Sequence, residues 1–178
     1  GSGTVEIVAT YAGVGSQSAL VIEVPDPSPL AWYPSIAMPR GVAGGEAAAT
    51  SDGQNIYVVD HLYTDSIYIY EPDTGVWSTG APSQGTTAGW LMIAAVPGSG
   101  VHMISENPNA THTVYDVVAD EWTPRAPIPT PRRAGSAEVV NGKLYVIGGV
   151  GSGVSFHDLV EVYDPATDSW STVEPMPT

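Results

Sequence analysis

The sequence predicts an all-β fold, a β-propeller of four-stranded antiparallel blades, about four in number, with the first blade lacking its first strand. Three observations predict it. Trp32, Trp77, Trp122 and Trp170 close related phrases ("VPDPSPLAW", "IYEPDTGVW", "VYDVVADEW", "VYDPATDSW") at steps of 45, 45 and 48 residues. A period of about 40–50 residues is the length of one propeller blade or one long helical repeat. Inside each copy the apolar residues form short β-branched and aromatic runs cut by Gly, Pro, Asn and Asp, which selects strands. No window of helical length keeps the i, i+3, i+4, i+7 apolar spacing without a Gly or Pro breaking it.

The last copy shows the element order most clearly. "GSAEVV" is a first strand, "NG" a turn, "KLYVIGG" a second strand, "LVEVY" a third, "DPATD" a turn and "SWSTV" a fourth. Asn141-Gly142 is the pair that a two-residue type I′ hairpin requires, because both central residues take positive φ. "DGQ" at 52–54 and "PGSG" at 97–100 place a turn at the same point of the preceding copies. At the start of the chain, "TVEIVATYAG" at 4–13 aligns with the second strand and "ALVIEV" at 19–24 with the third. The predicted blades are therefore 4–39, 40–82, 86–129 and 132–178. A blade short of a strand leaves backbone donors and acceptors unpaired. The expectation is one propeller domain or part of a larger one, with further blades or another chain completing the ring.

A single blade cannot bury both faces of its sheet, so its neighbours must, and one large aromatic at a fixed depth in each copy suits the layer between them. Trp32, Trp77, Trp122, Trp170, Tyr70, Tyr115 and Tyr163 are assigned to that inter-blade layer, where their polar tips need acceptors. The Asp-Pro-x-Thr phrase is a turn device whose carboxylate bonds the backbone two residues on, so Asp164 is not assigned a catalytic part.

The last copy resembles a kelch repeat: Gly148-Gly149 closes the "YVIGG" strand, Tyr163 lies seven residues before Trp170, and "PMP" follows the fourth strand. The resemblance extends over nearly the whole chain, fading from 133–178 through 41–82 and 86–129 to 4–39. The diglycine becomes "DH" at 60–61, "SE" at 105–106 and "AG" at 12–13, and Pro25 replaces the tyrosine in the first copy. Kelch repeats build propellers of four-stranded blades, commonly six or seven to a ring, and the resemblance implies that fold here.

Composition excludes several functions. The formal net charge of −14, with 5 Lys and Arg against 19 Asp and Glu, opposes binding of nucleic acid or of an anionic membrane surface. No apolar run approaches the ~20 residues of a membrane-spanning helix, so no membrane insertion is expected. The chain has no cysteine, which excludes disulfides, thiolate metal ligands and cysteine nucleophiles. An acidic surface with Lys143 as its one lysine suits an extracellular or cell-surface setting, with the cytoplasm as the alternative. "NAT" at 109–111 fits the N-glycosylation pattern.

In an antiparallel blade the loop after strand two and the connection after strand four emerge at one edge. Arg40, Arg132 and Arg133 fall in the strand 4–1 connections. His61, Tyr63, Glu106, Asn107 and His157 fall in or beside the strand 2–3 loops, together with Asp60, Asp65, Asn109, Phe156 and Asp158. Three of five basic residues thus converge on one face. Arginine forks there suit carboxylates or hydroxyls of a ligand, and in kelch propellers the same loops commonly form the partner face. The competing assignment has Arg40 and Arg132 neutralising acidic loops or capping carbonyls. His61, His102, His112 and His157 occupy three repeat phases with no pair at metal-ligand spacing, so no metal and no cofactor is expected. Copper oxidases and sialic-acid mutarotases related to kelch propellers keep an enzyme in view, although the copper site of the oxidases uses a cysteine that is absent here. The sequence therefore reads as a non-catalytic binding or structural module for a protein or glycan partner. The alternative is a carbohydrate-active enzyme, glycosidase or mutarotase-like, using carboxylates of the loop face.

Overall fold

A computed structural model describes residues 4–7, 20–23, 38, 47–60, 66–83, 91–106, 110–151 and 155–177. The chain divides into two units, Gly1–Ser35 and Ile36–Thr178. In the first, β1 (Thr4–Ile7) and β2 (Leu20–Glu23) pair antiparallel from Thr4↔Glu23 to Ile7↔Leu20. These are the segments expected as the second and third strands of the first copy. The fourth strand expected there, with Trp32, falls outside the described residues.

The second unit holds three four-stranded antiparallel meanders. Sheet II comprises β3 (Ala47–Ser51), β4 (Ile56–Asp60), β5 (Ser66–Glu71) and β6 (Val76–Thr79). Sheet III comprises β7 (Met92–Val96), β8 (Gly100–Ser105), β9 (Thr111–Asp116) and β10 (Glu121–Pro124). Sheet IV comprises β11 (Ser136–Val140), β12 (Lys143–Ile147), β13 (Val160–Asp164) and β14 (Ser169–Val173). No helix occurs among the described residues, and the β-branched and aromatic runs read from the sequence are the strands. Asn141 and Gly142 take φ of 52° and 73° between the paired Val140 and Lys143, the two-residue hairpin their residue types predict.

Strand β7 lies between β3 and β11, so consecutive sheets meet first strand to first strand. Two apolar layers fill the joints. Between sheets II and III, Tyr57, Val59, Ile67 and Ile69 pack on Ile93, Ala95, Val101, Met103 and Tyr115. Between sheets III and IV, Met92, Ala94, Val96 and Ile104 pack on Leu144, Val146 and Tyr163. Period-two alternation makes this possible: sheet III turns one residue set toward sheet II and the other toward sheet IV. Unlike a sheet with a wet face, sheet III is buried on both sides, and its β7 reads as an unbroken apolar run, "MIAAV".

The same device fastens both joints. Tyr115 and Trp122 of sheet III pack as a tilted ring pair with centroids 5.2 Å apart, and Tyr163 and Trp170 of sheet IV do likewise at 5.2 Å. The Trp122 indole donates to the Ala81 carbonyl and the Trp170 indole to the Ala126 carbonyl, each at 2.8 Å, and each acceptor stands just past the last strand of the preceding sheet. Asp120 and Asp168 take positive φ in the turns before these tryptophans. Asp120 Oδ1 accepts from the Tyr115 hydroxyl at 2.7 Å and the Ala81 N–H at 2.6 Å; Asp168 Oδ1 accepts from Tyr163 at 2.7 Å and Ala126 N–H at 2.9 Å. These bonds hold both carboxyls below the usual aspartate range, the tyrosine hydroxyl contributing most. Tyr70 and Trp77 of sheet II form a tilted pair at 4.9 Å. In the last turn Asp164 Oδ1 accepts from Ala166 N–H at 3.0 Å, and Asp164 Oδ2 pairs with Lys143 at 2.8 Å.

Candidate functional site

The described part of the loop face is built by sheets III and IV. Strand β12 is followed by Gly148 and Gly149 at φ of 63° and 108°, where the backbone leaves the ladder. A Cβ on Gly149 would lie 2.8 Å from the Arg133 carbonyl oxygen, so only glycine permits that approach. Arg133 and Val150 exchange backbone hydrogen bonds at 3.0 and 2.8 Å, Val150 bridges to Phe156, and His157 N–H donates to the Gly149 carbonyl at 2.9 Å. The strand 4–1 connection and the strand 2–3 loop of the last repeat are thereby zipped together.

On this platform Phe156, the single phenylalanine of the chain, is 83% exposed. The Arg133 guanidinium donates to Glu106 at 3.1 Å, joining the last connection to the strand 2–3 loop of sheet III. The Arg133 side chain is 40% exposed and that of Glu106 17%, so the pair is wet on one side and contributes little stability by itself. His157 is half-buried beside them.

Arg132 departs from the expected binding face. It is fully buried, at 0% exposure. Its Nε donates to the Gly148 carbonyl at 2.8 Å, its two terminal nitrogens donate to the carbonyls of Thr130 and Val146 at 3.0 Å each, and it pairs with the buried carboxylate of Glu161. Glu161 also accepts from the Thr130 hydroxyl at 2.9 Å. The physical reason lies in what surrounds it: carbonyls of the connection (Thr130), of β12 (Val146) and of the diglycine (Gly148) converge with the Glu161 carboxylate, and a planar fork with five donors can satisfy several acceptors at once. Arg132 therefore supports the face from beneath and offers no donor at its surface.

Sequence reasoning placed Glu106, Arg133 and His157 on this edge, and the structure has them there. Arg40, His61, Tyr63 and Asn107 lie outside the described residues, as does Asn109. Phe156 carried a legible signal, an isolated aromatic in a polar loop, but was given no part in the expected site.

His102 and His112 stand at different phases of the repeat, on β8 and β9, yet they meet inside the joint between sheets III and IV, with His102 Nδ1 and His112 Nε2 2.9 Å apart. Register explains it: His102 faces Val114 across the β8–β9 ladder, so His112, two residues back, is its diagonal neighbour on the same face. Among the described residues no group of three His, Cys, Asp or Glu could hold a metal ion.

Comparison with known proteins places these observations in a family context. Residues 131–177 match the family model described as the kelch motif. The chain is 34% identical over 112 residues to Kelch-like protein 21 of Mus musculus, covering 62% of this chain and 18% of that protein. It is 25% identical over 183 residues to Kelch-like protein 35 of Mus musculus, covering 97% of this chain and 31% of that protein. It is also 31% identical over 93 residues to the F-box/kelch-repeat protein SKIP30 of Arabidopsis thaliana, with 49% and 26% covered. The chain spans between about a fifth and a third of the length of these relatives. Residues 131–177 form a kelch repeat, and the four-stranded antiparallel sheets of the second unit have the architecture of kelch propeller blades. The relatives lend no support to a glycan partner, a carbohydrate-active enzyme or an extracellular setting; the cytoplasmic alternative is compatible with them.

Proposed function

We propose that this chain is a protein-binding module whose partner docks on the loop edge of sheets III and IV, over Phe156, Arg133 and Glu106. The exposure of Phe156 carries the reading: an aromatic 83% open to water on a platform zipped by backbone bonds is a preformed anchor. Aromatic and arginine side chains dominate binding energy at protein interfaces, and a preformed edge avoids much of the ordering cost. The Arg133 fork has donors beyond the one that Glu106 engages, so a partner carboxylate can join the pair. The kelch relatives support an interaction module without naming what is bound here.

The reading is tested with peptides selected by display against the folded chain, their affinity measured by fluorescence polarisation for wild type, Phe156→Ala, Arg133→Ala and Val118→Ala. Val118 is 97% exposed in the strand 3–4 turn, at the opposite edge of its sheet. Phe156→Ala should weaken binding at least about tenfold, Arg133→Ala less, and Val118→Ala not at all. Binding indifferent to Phe156 and Arg133 would overturn the assignment of this edge.

A further inference from the structure

In sheet II the positions facing the next sheet are Tyr57, Val59, Ile67 and Ile69. The same positions of sheet III hold His102, Ile104, His112 and Val114, and those of sheet IV hold Tyr145, Ile147, Val160 and Val162. Sheet III thus places two imidazoles where the other two place apolar or phenolic side chains. Both are buried, at 0% and 2% exposure.

A continuous chain of hydrogen bonds threads them. Ser99 Oγ lies 2.9 Å from His102 Nε2, His102 Nδ1 lies 2.9 Å from His112 Nε2, and His112 Nδ1 lies 2.9 Å from the Ala126 carbonyl oxygen. A carbonyl can only accept, so His112 carries its proton on Nδ1 and accepts on Nε2. His102 then donates from Nδ1 and accepts from the Ser99 hydroxyl on Nε2. Every atom of the neutral pair is satisfied. One added proton is tolerated, because the Ser99 hydroxyl can reverse and accept. With two added protons, His102 Nδ1–H faces His112 Nε2–H with no acceptor between them, and two like charges share a layer with Ile104, Leu144 and Tyr163.

We propose that this histidine pair makes the joint between sheets III and IV an acid-released latch, in which proton uptake by both imidazoles parts sheet IV from sheet III. The groups facing the pair do not relieve it. From sheet III, the Arg125 cation opposes protonation of both rings. From sheet IV, Tyr163 meets the two rings at 5.4 and 4.5 Å, and Trp170 meets His112 at 5.5 Å. Asp168 favours a charged His112, but its Oδ1 already accepts from Tyr163 and Ala126. Glu161, on the same face of β13 as Tyr163, is paired with Arg132. Burial is the largest cause of the lowered values, about 3 for His102 and about 4 for His112 against an ordinary 6.5.

The sign follows from linkage. Imidazoles released to water bind protons below about 6.5, whereas the closed joint excludes them until about pH 4. The latch therefore holds fully above pH 6.5 and weakens as pH falls toward 4. Asp168, the aspartate that clasps this joint, is held below its ordinary 3.8 and contributes only at still lower pH. Arg133 and Glu106 straddle this same joint, so release would also dismantle the loop edge; that consequence rests on the binding reading, while the latch does not.

Native-state hydrogen exchange of the whole chain, corrected for intrinsic rates, tests the latch between pH 7 and 4.5. The opening constant for amides of β11–β14 should rise toward about a hundredfold per pH unit below 6.5, the limit for two protons per opening, while amides of β3–β6 show no such slope. His112→Val should leave a slope of one proton, and His102→Tyr with His112→Val, the residues sheet IV carries at these places, should abolish it. An unchanged slope in the double variant, or equal slopes in all three sheets, would overturn the latch. Should the double variant not fold, imidazole nitrogen shifts of the wild type decide: neutral Nδ1–H tautomers at pH 6 support it, and independent titration near 6.5 without change in sheet IV refutes it.

Discussion

The two joints of the second unit share a fastening and differ in what they enclose. In both, a tyrosine, an aspartate at positive φ and a tryptophan of the later sheet grip the chain just past the last strand of the earlier one, at Ala81 in one joint and Ala126 in the other. The joint between sheets II and III encloses an apolar layer, but the Thr113 hydroxyl is buried there without a partner. The position that Thr113 holds in sheet III is held by Glu161 in sheet IV, where Arg132 and Thr130 satisfy the carboxylate. The joint between sheets III and IV thus carries an ion pair and two imidazoles. A repeat conserves its clasp because the clasp is local to one hairpin and one backbone; the contents of the joint vary because each joint needs only a filled and satisfied layer.

The largest effect is expected from Arg132→Leu, which strands a buried carboxylate and should cost about 3–5 kcal/mol by urea unfolding. Arg132→Leu with Glu161→Leu should recover much of that loss, since exchanging a buried pair for apolar residues is often near neutral. If the double variant is no more stable than the single one, the ion pair is not what distinguishes this joint. In the apolar joint, Met103→Ala removes a side chain at 1% exposure and should cost about 2–5 kcal/mol relative to wild type, a difference that stays the same between pH 7 and 5 because the substitution leaves both histidines in place.

Asp120→Ala and Asp168→Ala address the shared clasp. Each should lower the thermal midpoint by a similar amount, and glycine at either site should cost less than alanine because φ is 53° and 47° there. Unequal losses would show that the two clasps are not equivalent. Sheet II already holds a glycine at this position, Gly75 at φ 69°. The smallest effect is a gain: Thr113→Val keeps the shape and removes an unsatisfied hydroxyl, and should raise stability by about 1 kcal/mol.

Much of the fold was legible because its signals are local. Alternation, the Trp-to-Trp period and the Asn141-Gly142 turn each depend on residues within one blade's length. The loop edge was legible in part, since the meander order alone puts Arg133, Glu106 and His157 on one side. Arg132 and Arg133 are adjacent in sequence, yet one is buried and the other wet. Nothing in the residue types separates them; the acceptors gathered around Arg132, the carbonyls of Thr130, Val146 and Gly148 and the Glu161 carboxylate, do. His102 and His112 stand ten residues apart at no suggestive spacing, and only the β8–β9 register makes them neighbours.

Composition and periodicity by themselves determined that this chain forms short antiparallel strands in repeated groups of four, because strand, turn and repeat length are properties of consecutive residues. Tertiary structure alone decided which polar groups lie inside the joints and which face water. That choice depends on the donors and acceptors that a neighbouring sheet brings to each side chain, and they come from residues far away along the chain.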